Sequence, residues 1–556
     1  MKKSLRLNLG CGGDKKMGFV NVDINKEVRP YVVADLGKRF PFGDGVASKI
    51  LAYDVLEHLT REEGRKFLGE CFRVMGARGD IRLRVAFPQR IIENFSDDEE
   101  VRNLFLYGDT SKVGNWGVHK CGYSKRELIT ETRLAGFDDI VISEEETNLM
   151  VRARKGRVVN LSKITVIMQD AVAMGGAEFL MLNLVKEWQK GGVAAYVFTI
   201  LRELIGRLKV ESLSASYIPF RMDVIGGWKG AVKFFFYLPV AILFYFDLLN
   251  RGKKRSSQLV LVTGFTEKIL VTPLAFILGF PVVWIEFGPL APVFCRNLFL
   301  PKLLYRLVKD IPEKVITLSE NTKRSLVVDA RISEAKIKVL PGGVEVFSEE
   351  ELVRLRNEGK KLRRSLRLGD KVVVGYLSRV ASEKRQVDLV ETFVKTDASF
   401  GKAVLVIAGE GPDLGEVKKK VKELKAEKSV KVLGWVEDKW IFYGMLDFFV
   451  FASDWDMEGF GLVMAEAMMA GVPVVGVDSG PVGEVVVDGE TGFVVKKSQL
   501  GEVIDRMVES ESLRRRLGSA AREVAMRRFS LPVLADKFKG QLVEALVKHE
   551  VEKLSD

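Results

Sequence analysis

Residues 449–495 read FVFASDWDMEGFGLVMAEAMMAGVPVVGVDSGPVGEVVVDGETGFVV. The apolar run at the start predicts a buried strand ending at Ala452, and the pattern from about Leu462 to Ala470 predicts a helix. Between them, Gly459 and Gly461 allow a sharp turn and a close approach of the backbone to a ligand. The free N–H groups and the positive dipole end of such a helix form an anion site. The connecting loop also carries three acidic residues, Asp454, Asp456 and Glu458.

Two glutamates in this stretch, Glu458 and Glu466, are eight positions apart. On one continuous helix they would lie about 80° apart around the axis and about 12 Å apart along it. They can therefore converge on one ligand only if Glu458 lies on the loop and Glu466 in the first turns of the helix. The spacing leaves two interpretations open: a ligand-binding pair, or a surface cap followed by a buried, paired helix carboxylate.

Three apolar segments, each leading into a glycine-rich or polar turn, open three units of the chain. They are Leu5–Leu9, Ile164–Met168 and Val372–Tyr376. Strands alternate with helical patterns after each of them, which predicts an α/β fold class with three doubly wound, Rossmann-like domains. The basic stretch 151–163 and the charged helical stretch Glu349–Arg367 separate the units.

The composition is that of a globular protein of several domains. Of the 556 residues, 47% are hydrophobic and 29% are charged, which excludes disorder as the main state. The net charge of +12 suits acidic ligands such as nucleotide phosphates, or an anionic membrane surface. Because the sequence carries no helix-turn-helix, zinc-finger or aromatic-basic RNA signature, we expect no nucleic acid partner.

The four cysteines and three histidines are scattered, and no CxxC pair occurs. This spacing predicts neither a metal site nor a disulfide framework, and a reducing cytoplasm is the simpler location. The first residues, MKKSLRLNLGCGG, contain basic residues but no apolar core segment, so we do not expect a signal peptide.

The longest apolar run, Phe234–Phe246, has 13 residues with Pro239 in the middle. Spanning a bilayer takes about 20 residues, so we expect that it does not span. Its periodicity favours a buried helix with solvated ends. The alternative is a helix lying on an anionic membrane face, a peripheral contact with the inner membrane surface. Basic residues flank the run on both sides: Lys229, Lys233, Arg251, Lys253, Lys254 and Arg255.

Six further motifs follow one another through the second and third units. They are GGAE at Gly175–Glu178, TLSENTK at Thr317–Lys323, PGGVE at Pro341–Glu345, YLSRVASEK at Tyr376–Lys384, AGEGP at Ala408–Pro412 and LGWVED at Leu433–Asp438. With the two spaced glutamates, their order resembles the family-4 retaining glycosyltransferases of two-lobed GT-B fold over about residues 160–545.

The resemblance implies a nucleoside-diphosphate sugar held in the cleft between two lobes, with no metal required. Arg379 and Lys384 would contact the diphosphate, Glu466 the ribose hydroxyls, and Glu458 the donor sugar and phosphates. Fixed cations and a helix N-terminus would stabilise the charge that develops on the leaving nucleoside diphosphate. The resemblance also implies donor contacts at three other places. They are the glycine turn of the first lobe at Gly175 and Gly176, the base pocket at Val436, and the helix start at Phe460, Gly461 and Leu462. In Gly409 and Gly411, a donor contact and a plain turn are equally good interpretations.

One position departs from the family pattern. After the strand that reads VVWIE, many relatives have a histidine, whereas this chain has Phe287 followed by Gly288. The site therefore cannot use imidazole for acid–base work. Front-face attack, in which the leaving phosphate takes the acceptor proton, does not need that histidine. A different acceptor, or a weak or inactive transferase, also fits the change, and Glu286 is a candidate substitute contact.

The first unit carries a second, shorter series of motifs: LNLGCGG, VNVDI, ADL, PFGDG, AYDVLEHL, FRVMGARGDIRLRV and GYSKRELITETRLAGF. It resembles the class I S-adenosylmethionine-dependent methyltransferases over about residues 4–150. The resemblance implies that Gly10 and Gly12 approach the amino-acid end of the cofactor, that Asp23 holds its ribose, and that Asp35 lies near its adenine. An acidic residue at the end of the second strand commonly binds two ribose hydroxyls.

The pattern of this first unit is shortened. About ten residues separate VNVDI from ADL, too few for a full crossover helix, and RVMGARGD departs from the usual Pro-Gly-Gly turn. We expect S-adenosylmethionine to bind, and leave methyl transfer and its acceptor open. His58 and His119 are candidate catalytic residues, although a lone histidine is more often a structural contact.

The sequence thus predicts four parts: a methyltransferase-like domain at 1–156, an acceptor lobe at 160–348, a donor lobe at 368–530 and a C-terminal helix at 531–556 that packs back toward the acceptor lobe. The predicted function is hexosyl transfer, with retention, to a lipid-linked or growing surface glycan, with an accompanying methyl transfer left open. One rival is a nucleic-acid or protein methyltransferase whose larger half only binds sugars. A second is a non-catalytic assembly protein in which both sites have decayed.

Overall fold

The chain divides into two structural units. The first comprises Met1–Asn160 and Val543–Asp556, and the second Leu161–Leu542. The computed structural model describes residues 4–108, 117–168, 174–220, 224, 227–396, 401–453 and 458–555. Two acids predicted on the donor-site loop, Asp454 and Asp456, lie outside these residues.

The first unit is built on one sheet of seven strands in the order β3-β2-β1-β4-β5-β7-β6. The first five strands pair in parallel, whereas β7 runs antiparallel to both β5 and β6. The order reverses between β1 and β4, so the carboxyl ends of these strands form a switch-point crevice of the kind that binds ligands in α/β sheets. In chain order, the strands β1 to β7 are Leu5–Leu9, Val20–Asp23, Val32–Val33, Ala47–Tyr53, Met75–Ala86, Phe137–Glu145 and Asn148–Lys155. The helices are Arg61–Val74, Pro88–Asn94, Glu99–Tyr107 and Lys125–Leu134.

The second and third strands of this sheet are joined by a short connection. A single 3₁₀ turn, Lys26–Val28, stands where a longer unit would place a crossover helix. The strand expected at ADL occurs two residues earlier, as Val32–Val33, so Asp35 lies beyond the strand end. The eight residues between Asp23 and Val32 cannot hold both a helix and its two loops, which accounts for the 3₁₀ turn.

The second unit contains two parallel sheets, which we call the first and second lobes. The first lobe has the order β10-β9-β8-β11-β12-β13-β14, and the second β17-β16-β15-β18-β19-β20. Strands such as LVLV at Leu259–Val262 are buried along their whole length, as expected of parallel sheets covered on both faces. In chain order, the first-lobe strands β8 to β14 are Lys163–Met168, Ala194–Thr199, Ser214–Tyr217, Leu259–Val262, Val282–Glu286, Lys314–Thr317 and Ile337–Val339. The second-lobe strands β15 to β20 are Val372–Leu377, Ala403–Ala408, Val430–Gly434, Phe448–Phe451, Val474–Val477 and Gly492–Val495.

Helices cover these two sheets, and each lobe has its own apolar core. The final helix follows the second lobe, yet Trp188 of the first lobe donates its indole N–H to the carbonyl of Ala535 at 3.0 Å. First-lobe helices are Gly176–Lys190, Arg202–Val210, Gly227–Lys254, Phe265–Ile277, Ala291–Phe294, Leu300–Val308 and Glu320–Val328. Those that follow are Glu349–Ser365, Gln386–Val394, Leu414–Glu423, Lys439–Gly444, Leu462–Met469, Val482–Val485, Leu500–Glu509, Glu511–Phe529 and Leu531–Ser555.

The apolar run around Pro239 differs from its prediction. It belongs to one helix of 28 residues, Gly227–Lys254, which continues through the proline. Its Val232–Lys254 part has the length and composition that would allow a bilayer crossing, but such helices also occur in the cores of soluble proteins. The apolar run therefore belongs to a longer helix than we expected, because proline removes one N–H without ending this helix. Whether the helix crosses a bilayer is not decided by its length. The expectation of a buried helix was wrong for one side, since Phe236 and Leu243 are exposed.

Candidate functional site in the two-lobed unit

The turn between β18 and its helix has the geometry that the two glutamates require. The helix begins at Leu462, directly after Gly461, whose φ of 75° is in the left-handed region that favours glycine. Glu458 therefore lies on the loop, whereas Glu466 occupies the second turn of the helix. Met464 donates its N–H to the carbonyl of Gly461 at 2.9 Å, whereas the N–H groups of Leu462 and Val463 have no carbonyl partner within the helix and can receive an anion.

Lys384 and Glu458 form an ion pair at this turn. Lys384 ends the 3₁₀ turn after β15, so the pair joins the loops that follow two neighbouring strands of the second lobe. Their side chains are only 13% and 15% exposed. A largely buried cation beside a helix N-terminus can contact a phosphate, with Glu458 holding the ammonium group in place.

Glu466 is held by two partners that the sequence interpretation missed. Lys439 contacts one carboxylate oxygen at 2.6 Å, and the hydroxyl of Tyr443 donates to the other at 3.0 Å. Burial and the nearby Glu466 charge raise the pKa of Tyr443 well above its ordinary value, so the hydroxyl remains a donor. Lys439 also lies over the ring of Phe179 of the first lobe, 5.3 Å from its centroid. A signal was present in the sequence, because Lys439 directly follows the LGWVED motif.

Arg379 is placed differently from Lys384. Its guanidinium pairs with Glu383, and its side chain is 62% exposed. Because it lies in the loop that follows β15, it can reach toward a ligand, but it is not brought into the ion pairs around Glu458 and Glu466. Of the two cations predicted to contact the diphosphate, Lys384 is therefore buried in an ion pair, whereas Arg379 is exposed.

Three glycines set the close approach of the two lobes. A Cβ atom on Gly459 would lie 1.5 Å from the carbonyl oxygen of Phe287, so the glutamate loop runs directly against the first lobe. A Cβ on Gly342 would meet the side chain of Leu462 at 2.5 Å. Gly176 also faces Leu462, although at an ordinary contact distance of 3.4 Å. The start of the Leu462 helix thus lies where the lobes meet.

The remaining predicted donor residues take different positions around this region. Glu178 accepts the N–H of Gly175 at 2.9 Å, and burial raises the pKa of Glu178. Phe460 is buried, with its ring against Phe529, whereas Val436 is half-buried beside the exposed Trp435.

The AGEGP turn has a packing role. A Cβ on Gly409 would lie 1.8 Å from the carbonyl oxygen of Ser378, and one on Gly411 would lie 2.1 Å from that of Val380. Both positions therefore require glycine whether or not a ligand is bound.

Glu286, which we considered as a substitute for the missing histidine, belongs to the core of the first lobe. Its carboxylate contacts the ammonium group of Lys268 at 2.7 Å and accepts the hydroxyl of Tyr305 at 2.7 Å. Glu286 and Lys268 are both buried. This ion pair accounts for Glu286 as a structural residue, and we no longer assign it a contact with the donor or acceptor.

A second contact between the lobes also went unpredicted. The carboxylate of Glu484, in the second lobe, accepts the backbone N–H groups of Glu320 at 2.8 Å and Asn321 at 3.0 Å. These groups open the helix Glu320–Val328 of the first lobe, where a negative charge is favoured. Sequence alone cannot pair residues so far apart in the chain.

In the first unit, the glycine turn after β1 lies at the switch point of the sheet. Gly10 has a φ of 66°, and a Cβ there would meet the side chain of Val55 at 2.5 Å. The N–H of Gly12 donates to Asp23 at 2.7 Å, and open space faces Gly12. Asp35 instead accepts the N–H of Gly37 at 2.9 Å and pairs with Lys38.

The two candidate catalytic histidines of this unit meet. The rings of His58 and His119 pack edge to face, with their centroids 4.9 Å apart. Nδ1 of His58 lies 3.1 Å from the carbonyl oxygen of Val118. Next to them, burial raises the pKa of Glu57 to about 8, with the charge of Asp54 contributing. One oxygen of Glu57 accepts the N–H of Ala86, while the other has no partner among the residues that the structure describes.

Within the described part of the chain, no three His, Cys, Asp or Glu residues are grouped as a metal site would require.

Comparison with known families places the transferase features in the second unit. Residues 358–524 match the family described as "Glycosyl transferases group 1". The capsular polysaccharide biosynthesis glycosyltransferase CapM of Staphylococcus aureus is 26% identical over 44% of this chain and 64% of its own length. A GDP-mannose-dependent phosphatidylinositol monomannoside mannosyltransferase of Mycobacterium tuberculosis is 30% identical over 40% of this chain and 60% of its own. The chain thus spans less than two thirds of these curated relatives.

Solved structures agree on the fold of the second unit. The Anabaena protein HepE in complex with UDP and glucose aligns with a TM-score of 0.57 at 20% identity, over 68% of this chain and 99% of its own. A glycosyltransferase from Rickettsia africae aligns with a TM-score of 0.55 at 18% identity, over 70% of this chain and 99% of its own. The second unit therefore has the two-lobed GT-B-like fold. The match over residues 358–524 supports a relationship of this unit to the group 1 glycosyltransferases. The methyltransferase-like character of the first unit has no such support.

Proposed function

We propose that the second unit transfers a hexosyl group from a nucleoside-diphosphate sugar to a lipid-linked or growing glycan, with retention of configuration and at the cytoplasmic side of the membrane. The relatives named for capsular polysaccharide and for phosphatidylinositol mannoside support this substrate class. The observation that carries the proposal is the pairing of Lys384 with Glu458 at the start of the Leu462 helix, where the two lobes approach each other.

In this proposal each group acts on a different part of the donor. Lys384 and the free N–H groups at the start of the helix bind the diphosphate. They stabilise it more strongly as negative charge develops on the departing nucleoside diphosphate. Glu466, fixed by Lys439 and Tyr443, accepts hydrogen bonds from the ribose hydroxyls. The exposed Arg379 moves onto the phosphates when the donor binds. The acceptor proton passes to the leaving phosphate, because Phe287 offers no base.

Thermal melting with UDP-, GDP- and ADP-sugars tests this assignment. We expect one nucleotide class to raise the melting temperature, and Lys384→Ala and Glu466→Ala each to abolish that shift. Lys420→Ala is the matched control, since Lys420 is a solvated lysine of the same lobe that pairs with Glu391. If no donor shifted the melting temperature of the unaltered protein, the rival interpretation of a decayed, non-catalytic module would replace this one.

We propose a second activity for the first unit: binding of S-adenosylmethionine, which would supply a methyl group to the glycan or a precursor. Support comes from the left-handed Gly10 turn, the open space at Gly12 and the buried Asp23, all at the switch point of the sheet. The engagement of Asp23 by two backbone N–H groups leaves lone pairs for ribose hydroxyls. Asp35 contributes less, since its carboxylate is already bound to Gly37 and Lys38.

Calorimetric titration with S-adenosylmethionine tests this second activity. We expect binding that is lost in Asp23→Ala and kept in Asp14→Ala, an acidic residue of the neighbouring turn that pairs with Lys16. A flat titration of the unaltered protein would remove the cofactor from the first unit and leave the transferase proposal intact.

A further inference from the structure

The helix Gly227–Lys254 displays an apolar stripe on its outer side. Seven of the exposed apolar residues recur at helical spacing, which places them along one side of the helix. Tyr237 and Ile242 are also exposed, at 42% and 40%, and lie beside this line. The most exposed are Phe236 at 77% and Leu243 at 71%. The stripe extends over about 21 Å, from Val232 to Phe246, at 1.5 Å per residue. Its members are Val232, Phe235, Phe236, Pro239, Val240, Leu243 and Phe246.

The opposite side of the same helix is packed into the first lobe. Phe234, Ala241, Tyr245, Leu248 and Leu249 are buried there and belong to the apolar core of the lobe. The hydroxyl of Tyr245 donates to Glu267 at 3.1 Å, a buried hydrogen bond to the neighbouring helix. The helix therefore already contributes one side to the apolar core of the lobe, and the exposed stripe is a second apolar side that the lobe does not cover.

Basic residues occupy both ends of the stripe. From residue 227 to 255 the chain has six basic residues against one acidic residue, Asp247, which pairs with Arg251. All six basic residues are exposed. Large apolar side chains flanked by lysine and arginine match the layering of an anionic bilayer surface, where acyl chains lie beneath phosphate headgroups. The basic residues are Lys229, Lys233, Arg251, Lys253, Lys254 and Arg255.

Two more exposed apolar side chains lie near the C-terminal end of the same helix. At the end of the helix Phe265–Ile277, Phe276 and Ile277 are both exposed, and Lys253 donates to the carbonyl of the next residue, Leu278, at 3.2 Å. The C-terminal part of the stripe-bearing helix thus lies beside these two side chains. An apolar area of this kind on a protein surface marks an interaction site.

We propose that this stripe docks on an anionic membrane surface, with the helix lying in the interface. A second copy of the chain is a poorer occupant. Both ends of the helix are basic, so parallel or antiparallel self-pairing would bring like charges together. Crossing the bilayer is also disfavoured, since it would remove Tyr245 and its neighbours from the core of the lobe. The inference goes beyond glycosyl transfer and does not require it, although a lipid-linked acceptor would be reached most directly from such a surface.

Sedimentation of the full chain with vesicles tests the proposal. We expect binding to mixed phosphatidylcholine and phosphatidylglycerol vesicles and little to phosphatidylcholine alone. The double variant Phe236→Ser/Leu243→Ser should weaken binding at least about tenfold, because two exposed anchors are lost. Lys253→Gln/Lys254→Gln should weaken it chiefly at low salt. The matched controls are Val210→Ser/Val353→Ser, at positions 84% and 55% exposed on other helices, and Lys419→Gln/Lys420→Gln.

Three outcomes would overturn the proposal. The first is no binding of the unaltered chain to either vesicle, or equal binding by the Phe236/Leu243 variant and its control. The second is resistance of membrane-bound protein to alkaline carbonate extraction, which would mean that the helix spans. The third is a dimer in light scattering that Phe236→Ser/Leu243→Ser dissociates, which would make a second copy the occupant. Melting shifts with nucleotide-sugars do not depend on the stripe and should be equal in all these variants, so a failure here is distinguishable from a failure of the transferase proposal.

Discussion

The ammonium group of Lys384 and the carboxylate of Glu458 form an ion pair between two loops that leave neighbouring strands of the second lobe. The pair places a cation next to a helix N-terminus. In the donor site that we propose, the cation binds the diphosphate and the carboxylate contacts the sugar, so we expect each member to have a separable effect on binding and on turnover.

The first prediction separates these two roles. Lys384→Ala should lower kcat/KM for the nucleotide-sugar about 100-fold or more and weaken binding of the free nucleoside diphosphate, because a charge-stabilising group is removed. Glu458→Gln should lower kcat but keep nucleoside diphosphate binding at least as tight, since Lys384 loses a competing carboxylate. Steady-state kinetics and calorimetry measure both. Weaker diphosphate binding in Glu458→Gln than in Lys384→Ala would contradict the assignment.

The second prediction concerns Tyr443, whose hydroxyl orients Glu466. Tyr443→Phe keeps the ring in the core and removes the hydroxyl, which lies 3.0 Å from Glu466 and 3.2 Å from the carbonyl oxygen of Val463. Loss of a hydrogen bond of this kind costs about 1 kcal/mol. We expect KM for the donor to rise about fivefold with a small change in kcat, because ribose binding contributes to ground state and transition state alike. Phe442→Leu, at the buried neighbour of Tyr443, serves as the control for a packing defect. An unchanged KM in Tyr443→Phe would remove Glu466 from ribose binding.

The third prediction tests the contact between the lobes. Gly459→Ala places a Cβ 1.5 Å from the carbonyl oxygen of Phe287, so either the glutamate loop or the first lobe must shift. We expect transferase activity to fall by at least about 100-fold, since a displacement of about 1 Å near the reacting groups can cost that much. Gly483→Ala is the control, because nothing lies within 4 Å of its Cβ position. Full activity of Gly459→Ala would show that the glutamate loop has no fixed position.

The fourth prediction uses the buried Glu57 of the first unit, whose pKa is raised from 4.5 to about 8. Between these values the folded chain holds a proton that the unfolded chain has lost. The free energy of unfolding should therefore fall as pH rises through this window, by up to about 1.4 kcal/mol per pH unit. Glu57→Gln keeps the acceptor for Ala86 and carries no charge, so its stabilising effect should be large above pH 8 and small near about pH 5.

Hydrogen exchange of the strand Met75–Ala86 against pH reports the stability of this unit. Glu62→Gln is the matched control, since Glu62 is an exposed glutamate that pairs with Lys66. The same stabilisation by Glu57→Gln at both ends of the pH range would contradict the raised pKa.

Much of the fold followed from local pattern. The apolar strands, the glycine turns after them and the alternation with helical segments predicted parallel α/β sheets, and the second unit has the two-lobed arrangement that its motifs implied. The helix start at Leu462 and the loop position of Glu458 also followed from the sequence, because glycines at 459 and 461 are local constraints. The division into four parts, the retaining chemistry and the roles of the site residues remain predictions.

What the sequence alone determined is therefore the periodic part: which segments are strands, where the chain turns, and which residue types are available for phosphate and ribose. Only the tertiary structure decided the partners. It paired Glu466 with Lys439, Glu484 with the Glu320 helix and Glu286 with Lys268, and it left Phe236 and Leu243 facing outward. The physical reason is that strand and helix periodicity depend on neighbours a few positions apart, whereas ion pairs and exposed faces depend on which distant segments the fold brings together.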